Sequence, residues 1–211
     1  MMAKGRSGIA VLLALTFATA YAQATDVSNP PRTSYFVNQS QDDAEEGANG
    51  LVDLTNDDLD LGQPSGFESA VAVGIRFEGL RIPKQSTIKT AFLQFTKDEP
   101  GTKSDPANLT IRAELTADAA SFSDEPRNIS SRRLTQAAVH WSPQPWRPGD
   151  GRGNSQRTPD LSALIQEVVA HDDWMPGNAL AFVVTGIGER DAISFDGGGK
   201  QSGPMLYLLV D

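Results

Sequence analysis

Alternation of apolar and polar side chains with a period of two runs through the middle of the chain. The clearest stretch is 70–80, where Val73, Ile75 and Phe77 alternate with smaller or polar residues, and 87–96 repeats the pattern. Successive side chains of a strand point to opposite faces, so these stretches predict β-strands with one face in the core. Further strands are predicted at 34–40, 51–54, 109–115, 137–141, 180–185, 193–195 and 205–210.

One stretch has a helical period instead. Thr158 is a suitable N-cap, Pro159 suits the first helical position and Asp160 favours the positive end of the helix dipole. The apolar positions that follow are spaced i, i+3, i+4, i+7 and i+8: Leu161, Leu164, Ile165, Val168 and Val169. This predicts a short α-helix at about 159–171. Many short strands with one helix indicate an all-β domain, a β-sandwich or jelly roll, and not a βαβ fold.

The first residues have the features of an export signal. Lys4 and Arg6 precede an apolar run over 9–20, and Ala20-Tyr21-Ala22 fits a signal-peptidase site. We therefore predict a signal peptide at 1–22, with cleavage after Ala24 as the second choice. A lead-in at 23–33 and a single domain at 34–211 would follow. The alternative is an uncleaved N-terminal anchor. No later run is apolar enough for a transmembrane helix, so the prediction is export to the periplasm, the cell surface or the medium.

The net charge limits the classes of partner that the chain can bind, and the absence of cysteine limits what can stabilise its fold. The chain has 211 residues, a formal net charge of −9 and no cysteine. The acidic balance argues against nucleic acid as a partner. An exported chain without disulfides depends for its stability on its core or on a metal.

The most prominent chemical feature is a run of carboxylates. Asp42, Asp43, Glu45 and Glu46 lie within five residues, and Asp58 and Asp60 follow. The stretch 190–197 near the other end contributes further acids, among which we select Asp196. We interpret the two stretches as halves of one calcium site that links the start of the sandwich to its end, because calcium takes six to eight oxygen ligands. A solvated acidic loop is the alternative.

Other metals and catalysis receive less support from the residues. Zinc is disfavoured because the chain has two histidines and no thiols. There is no Gly-x-Ser-x-Gly elbow and no cysteine nucleophile. A pair of carboxylates working as in a glycosidase is not excluded, but no pair is singled out.

Three side chains are candidates for contact with a ligand. Trp146 lies in a Pro/Gly-rich loop and is the best candidate for an exposed ring that stacks on a sugar, and Trp141 is a further candidate for which a core or corner position is favoured. A core position is the alternative for tryptophan, which is highly buried on average. Arg76 could contact an anion, neutralise the acidic site or lie on a solvated strand face.

Several motifs together resemble a known module. They are Asp42-Asp43-Ala44-Glu45-Glu46, Val73-Gly74-Ile75-Arg76-Phe77, Ala91-Phe92-Leu93-Gln94-Phe95, Val139-His140-Trp141, Arg157-Thr158-Pro159-Asp160-Leu161 and Asp191-Ala192-Ile193-Ser194-Phe195-Asp196-Gly197. The layout is similar to that of disaggregatase-related (DNRLRE) domains and jelly-roll carbohydrate-binding modules of secreted bacterial proteins. The resemblance implies a jelly-roll sandwich, calcium as a frequent structural ion and glycan or cell-surface binding as the usual role.

These observations lead to one main prediction and two alternatives. The main prediction is an exported, non-enzymatic, calcium-stabilised β-sandwich that binds polysaccharide or a cell-surface partner. The first alternative is a structural subunit of an extracellular assembly, in which the lead-in pairs with the edge strand of a neighbour. The second is a small hydrolase.

Overall fold

The computed structural model describes residues 32–63, 72–98 and 105–211. The predicted signal peptide and residues 23–31 of the lead-in lie outside these ranges. The last two residues of the lead-in, Arg32 and Thr33, belong to the first strand. Neither helix within the described ranges has the length and apolar character needed to cross a membrane.

The described residues form an all-β sandwich, as the alternation predicted. The eleven strands are β1 (Arg32–Phe36), β2 (Asp43–Glu46), β3 (Val52–Asp53), β4 (Asp58–Asp60), β5 (Ala72–Phe77), β6 (Ile88–Gln94), β7 (Asn108–Ala113), β8 (Val139–Trp141), β9 (Leu180–Ile187), β10 (Asp191–Ile193) and β11 (Met205–Val210). All named strand pairs are antiparallel. The helices are α1 (Ser162–Val169) and α2 (Phe195–Ser202).

The strand order follows a jelly roll. One sheet has the order β1-β11-β6, the second has β3-β2-β5-β9-β7-β8, and β4 pairs with β10 separately. The free edge of β6 is taken by the segment 156–161, whose backbone bonds include Thr158 N–H to Leu93 O and Leu161 N–H to Ala91 O. The order β1-β11-β6-(156–161) therefore faces β2-β9-β7-β8, with β5 inserted between β2 and β9.

This edge pairing explains why α1 begins later than predicted. Thr158 does not cap the helix, because its hydroxyl oxygen accepts a hydrogen bond from Leu93 N–H. Asp160 is likewise engaged, accepting from the N–H groups of Ala91 and of Ser162. The helix therefore starts at Ser162 and ends at Val169, inside the predicted span of 159–171.

The helix α2 was not predicted. The alternation suggested a strand at 193–195, but β10 ends at Ile193 and the chain turns into a helix whose N-cap is Ser194. The hydroxyl oxygen of Ser194 accepts from Gly197 N–H. Three consecutive glycines give this segment a low helix propensity, and Gly199 at φ 66° kinks it.

The main core lies between the two large sheets and includes α1. Side chains of both inner faces are buried there, for example Leu93, Leu206, Ile111 and Phe182. The inner-facing residues of α1 join the same core: Leu164, Ile165, Val168 and Val169. The apolar stripe of the helix thus faces the core, where α1 contacts β6 and β7.

A third layer covers the outer face of the larger sheet. Residues 117–135 have almost no regular structure, yet Phe122 and Ile129 are buried against Ala44, Ala181 and Val183 of the sheet. The guanidinium of Arg132 lies 4.3 Å from the Phe122 ring centroid. This segment seals an outer sheet face that would otherwise be exposed and apolar.

The close fit of this layer gives a first prediction. A Cβ on Gly74 would lie 2.4 Å from the Phe122 ring, so Gly74→Ala should lower the free energy of unfolding by about 1–3 kcal/mol. Chemical unfolding of Gly74→Ala, Phe122→Leu and the double variant measures the coupling. We expect the double variant to lose less than the sum of the two single losses. Strictly additive losses would show that the layer does not pack on Gly74.

Candidate metal site and adjoining cavity

The four carboxylates of the acidic run go to four different places. Asp42 is fully buried and accepts a hydrogen bond from the Arg76 guanidinium, which also donates through Nε to Ala119 O at 2.8 Å. Arg76 therefore neutralises a buried acid and ties the larger sheet to the outer layer. Its guanidinium is engaged inside the protein, so it is not free to contact an external anion.

Asp43 connects β2 to the last part of the chain. Its Oδ2 accepts from Phe195 N–H at 2.8 Å, at the start of α2. Asp196 lies on the same helix but is exposed, and its Oδ1 accepts from the Ser40 hydroxyl at 2.9 Å. The start and the end of the sandwich are thus joined here by hydrogen bonds of these two carboxylates.

Glu46 points to the opposite face of β2 and holds the outer layer. Its carboxylate accepts from the N–H groups of Ile129 and Ser130 at 2.9 and 2.7 Å, and from the Ser130 hydroxyl. Alternation along β2 explains the direction, because Glu46 shares a face with Ala44, which also contacts this layer.

Glu45 turns towards β4. Its carboxylate accepts from Asp60 N–H and from the Asn56 amide at 2.9 Å. The same Asn56 nitrogen donates to Asp58 Oδ1 at 2.8 Å. Glu45 is the member of the acidic run that comes closest to the acids of β4.

Three other carboxylates converge where β4 meets β10. In the antiparallel register Asp60 is opposite Asp191, and Asp58 is two residues from Asp60 on the same face. One oxygen from each carboxylate lies within 4.8 Å of the other two, so the three residues could hold a metal ion. Leu59 and Ala192 point the other way into the core, 1% and 0% exposed.

Burial and the closeness of these carboxylates raise the pKa values of Asp58 and Asp60. Burial, followed by repulsion from Glu45, Asp58, Asp191 and Glu189, raises the pKa of Asp60 to about 7. The pKa of Asp58 is also raised, first by burial and then by Asp191. A bound cation would offset this repulsion, since an opposite charge close by favours the ionised form.

The structure therefore brings together a different set from the one selected from sequence. Of the predicted ligands, Asp58 and Asp60 lie in the cluster and Glu45 lies beside it. Asp42, Asp43, Glu46 and Asp196 are placed elsewhere by the contacts described above. Asp191 was not selected, although it lies in the stretch 190–197 that was predicted to supply the second half of the site. Its signal was the alternation of Asp191, Ala192 and Ile193, which marks a strand with the acid on the polar face.

A cavity adjoins the cluster. It has a volume of about 720 Å³ and is lined by Glu45, Gly47, Leu51, Val52, Asp53, Leu54, Thr55, Asp60 and Asp124. Glu45 and Asp60 border both the cavity and the carboxylate cluster. The lining thus combines aliphatic walls with carboxylate and hydroxyl groups that accept hydrogen bonds.

The tryptophans do not form a binding surface. Trp146, predicted as the best exposed ring, is 0% exposed, and Trp141 is 5% exposed. Trp146 donates through Nε1 to Ser155 O at 2.9 Å and packs beside Phe95 and Trp141. The exposure predicted for Trp146 is wrong because its loop folds back and satisfies the indole N–H inside the core. For Trp141 the core alternative is confirmed.

Comparison with known proteins adds no relative. No protein-family model matches the chain, and no curated protein is significantly similar to it. The resemblance to disaggregatase-related domains and carbohydrate-binding modules therefore stays a prediction.

The buried Asp43 gives a prediction on pH. Its pKa is raised to about 7, first by burial and then by repulsion from Asp196 and Asp42, while hydrogen bonds from the backbone N–H groups of Phe195 and of Asp43 itself act in the opposite direction. Stability from a raised pKa is complete below the unfolded value of 3.8 and is lost as the pH rises through about 7. Wild type should therefore lose stability relative to Asp43→Asn between those values. Asparagine keeps an oxygen for Phe195 N–H and carries no charge.

Thermal unfolding of both proteins in chelator across this pH range checks the prediction. We expect Asp43→Asn to melt above wild type at about pH 8, with the difference vanishing or reversing at about pH 4. A difference that stays constant with pH would contradict the raised pKa.

Proposed function

We propose that this protein is an exported, non-enzymatic, calcium-stabilised β-sandwich that binds polysaccharide or a cell-surface partner. The observation that carries the proposal is the convergence of Asp58, Asp60 and Asp191 beside a cavity of about 720 Å³. Export rests on the signal pattern over residues 1–22, and the binding role rests on the cavity and on the resemblance of the sequence to secreted binding modules.

Calcium suits this cluster better than other common ions. All three side chains offer carboxylate oxygens, which hard cations prefer. Zinc usually takes imidazole or thiolate ligands, and magnesium demands a near-ideal octahedron. Three carboxylates on two short strands leave further positions for water, backbone oxygens or a ligand, as flexible calcium coordination allows.

The proposed ion has a structural role. β4 and β10 are distant in sequence, and their pairing brings three mutually repelling acids onto one face. A cation there would cross-link the two strands in a chain that has no cysteine. Its binding energy adds to folding, because the ligands converge only in the native state.

The cavity supports a polysaccharide as the partner. Carboxylates such as Asp53 and Asp124 accept hydrogen bonds from sugar hydroxyls, and the side chains of Val52 and Leu54 can pack against the C–H face of a sugar ring. Because Asp60 borders both sites, a cation would fix one wall of the cavity. Metal binding and glycan binding would then reinforce each other.

A small hydrolase is the competing function, and the same cavity motivates it. The pKa of Asp60 is raised to about 7, which suits a general acid, and Glu45 lies beside it. A calcium ion on Asp60 would instead keep that carboxylate ionised. Release of reducing ends from a polysaccharide, abolished by Asp60→Asn in a folded protein, would favour the hydrolase over the binding module.

Calcium should stabilise the protein through this cluster. At a free concentration about 100-fold above the dissociation constant, mass action predicts a gain of about 2.7 kcal/mol. For a domain of this size that corresponds to a rise in melting temperature of roughly 5–10 °C. Asp58→Asn, Asp60→Asn and Asp191→Asn should each remove most of the rise.

Asp196→Asn is the matched control, because Asp196 belongs to the ligands predicted from sequence but lies outside the cluster. It should keep the full response to calcium. If Asp196→Asn lost the response and Asp191→Asn kept it, the calcium site would lie at the start of α2 and not between β4 and β10. No response in the wild-type protein would end the calcium proposal.

Glycan binding should depend on the cavity. Asp124 is exposed and lines the cavity, so Asp124→Ala should weaken binding to the best polysaccharide of a glycan array by about 10-fold or more. Glu125→Ala is the control, since Glu125 is exposed next to it but does not line the cavity. Titration calorimetry measures both variants in calcium. Equal affinities would place the glycan elsewhere, and no binding to any polysaccharide would refute that partner.

A further inference from the structure

The outer face of the three-stranded sheet has an apolar depression. Phe92 of β6 and Tyr207 of β11 are opposite each other in the register, and their rings stack with centroids 4.6 Å apart. Met205 and Leu209 flank Tyr207 on the same face of β11. The depression has a volume of about 500 Å³, with Thr90 and Arg157 completing its lining.

Arg157 holds a fixed position at this depression. Its guanidinium lies 4.3 Å from the Phe92 ring centroid, and its Nε donates to Gln94 Oε1 at 3.1 Å. None of the six lining residues is acidic. Arg157 is thus the one charged residue of this lining, in a chain of net charge −9, and charge complementarity calls for a partner with an acid next to an apolar group.

The chain itself carries such a group at the turn between β2 and β3. Leu51 is 59% exposed, and Asp53, two residues further on, is also exposed. Leu51 immediately precedes β3, and both side chains line the same cavity. Asp53 Oδ1 accepts from the Thr55 N–H at 2.8 Å, which holds the carboxylate in place. No residue lining the cavity around them is a lysine or an arginine, and the Arg127 side chain lies beside the turn, against Gly50.

The turn that presents Leu51 is well held. Gly47 N–H donates to Leu51 O at 2.9 Å, and Leu51 N–H donates to Asn49 Oδ1 at 3.0 Å. Gly50, at φ 78°, accepts from Arg127 N–H of the outer layer at 2.7 Å. A rigid turn loses little conformational entropy when its tip is buried in a partner.

We propose that the protein self-associates head to tail, with Leu51 of one copy in the Phe92–Tyr207 depression of the next. Asp53 or Asp124 of the first copy then faces Arg157 of the second. The two surfaces lie on different sheets, so the contact is heterologous and builds a ring or an open filament. This inference does not depend on the metal, and it goes beyond the proposed function by making the module a repeating array when no glycan is bound. Leu51, Asp53 and Asp124 line the cavity proposed for the glycan, so self-association and glycan binding compete for this surface.

The two other large apolar side chains that are exposed among the described residues serve as controls. Met175 and Ile187 are 62% and 61% exposed, close to the value for Leu51. Neither side chain lines the acidic cavity.

Sedimentation velocity of the exported chain over a range of concentrations, in saturating calcium, tests the proposal. Wild type should form species larger than a dimer as concentration rises. Leu51→Ser and Tyr207→Ser should each raise the dissociation constant by ~10-fold or more, whereas Met175→Ser and Ile187→Ser should change it little. A monomer at all concentrations, or equal loss in the controls, would overturn the proposal.

A charge exchange identifies the pair of surfaces. Arg157→Glu should abolish association, and combining it with Asp53→Lys or Asp124→Lys should restore association in at least one case. If neither double variant restores association, Arg157 does not pair with these acids, and the docking of the two surfaces is rejected.

If Tyr207→Ser lowers glycan binding without affecting association, the depression is a sugar site and the self-association proposal is wrong. Melting in calcium is recorded for every variant, so failure of the calcium proposal remains separately visible.

Discussion

The pairing of β4 with β10 is the constraint on which the candidate site depends. It aligns Asp60 with Asp191 and places Asp58 on the same face, while Leu59 and Ala192 are fixed in the core on the other side. Burial of that other face holds the register, because a slip of one residue would turn the acids inward. The core thus holds the three carboxylates together against their mutual repulsion, which is the condition under which a cation binds well.

The acidic run has a different part in the structure from the one its density of charge suggests. Each of its four carboxylates accepts hydrogen bonds from a different segment of the chain. Asp42 binds a buried arginine, Asp43 binds the backbone at the start of α2, Glu45 binds the backbone of β4, and Glu46 binds the outer layer. A chain without disulfides thereby ties residues 42–46 to β5, α2, β4 and the outer layer. Only Glu45 is close enough to the cluster to influence its charge.

The sequence predicts features that depend on neighbouring residues better than features that depend on residues distant in the chain. Strands such as β5 followed from period-two alternation, since that pattern reflects burial of one face of the same segment. The position of Asp191 depended on pairing with β4, which no local pattern specifies. Helix α2 was not predicted because its three glycines have a low helix propensity. The N-cap at Ser194 stabilises the helix in spite of them. Trp146 was misjudged because the Pro/Gly-rich loop that carries it folds back into the core, which only tertiary structure reveals.

The most direct test of the central claim is a crystal structure grown in calcium, with anomalous difference maps that locate the ion. We expect one strong peak between β4 and β10, at roughly 2.3–2.6 Å from carboxylate oxygens of Asp58, Asp60 and Asp191. A peak at Asp43 and Asp196 instead, or no peak at saturating calcium, would contradict it. In that case the convergence of the three acids would have to be explained by hydrogen bonding and protonation alone.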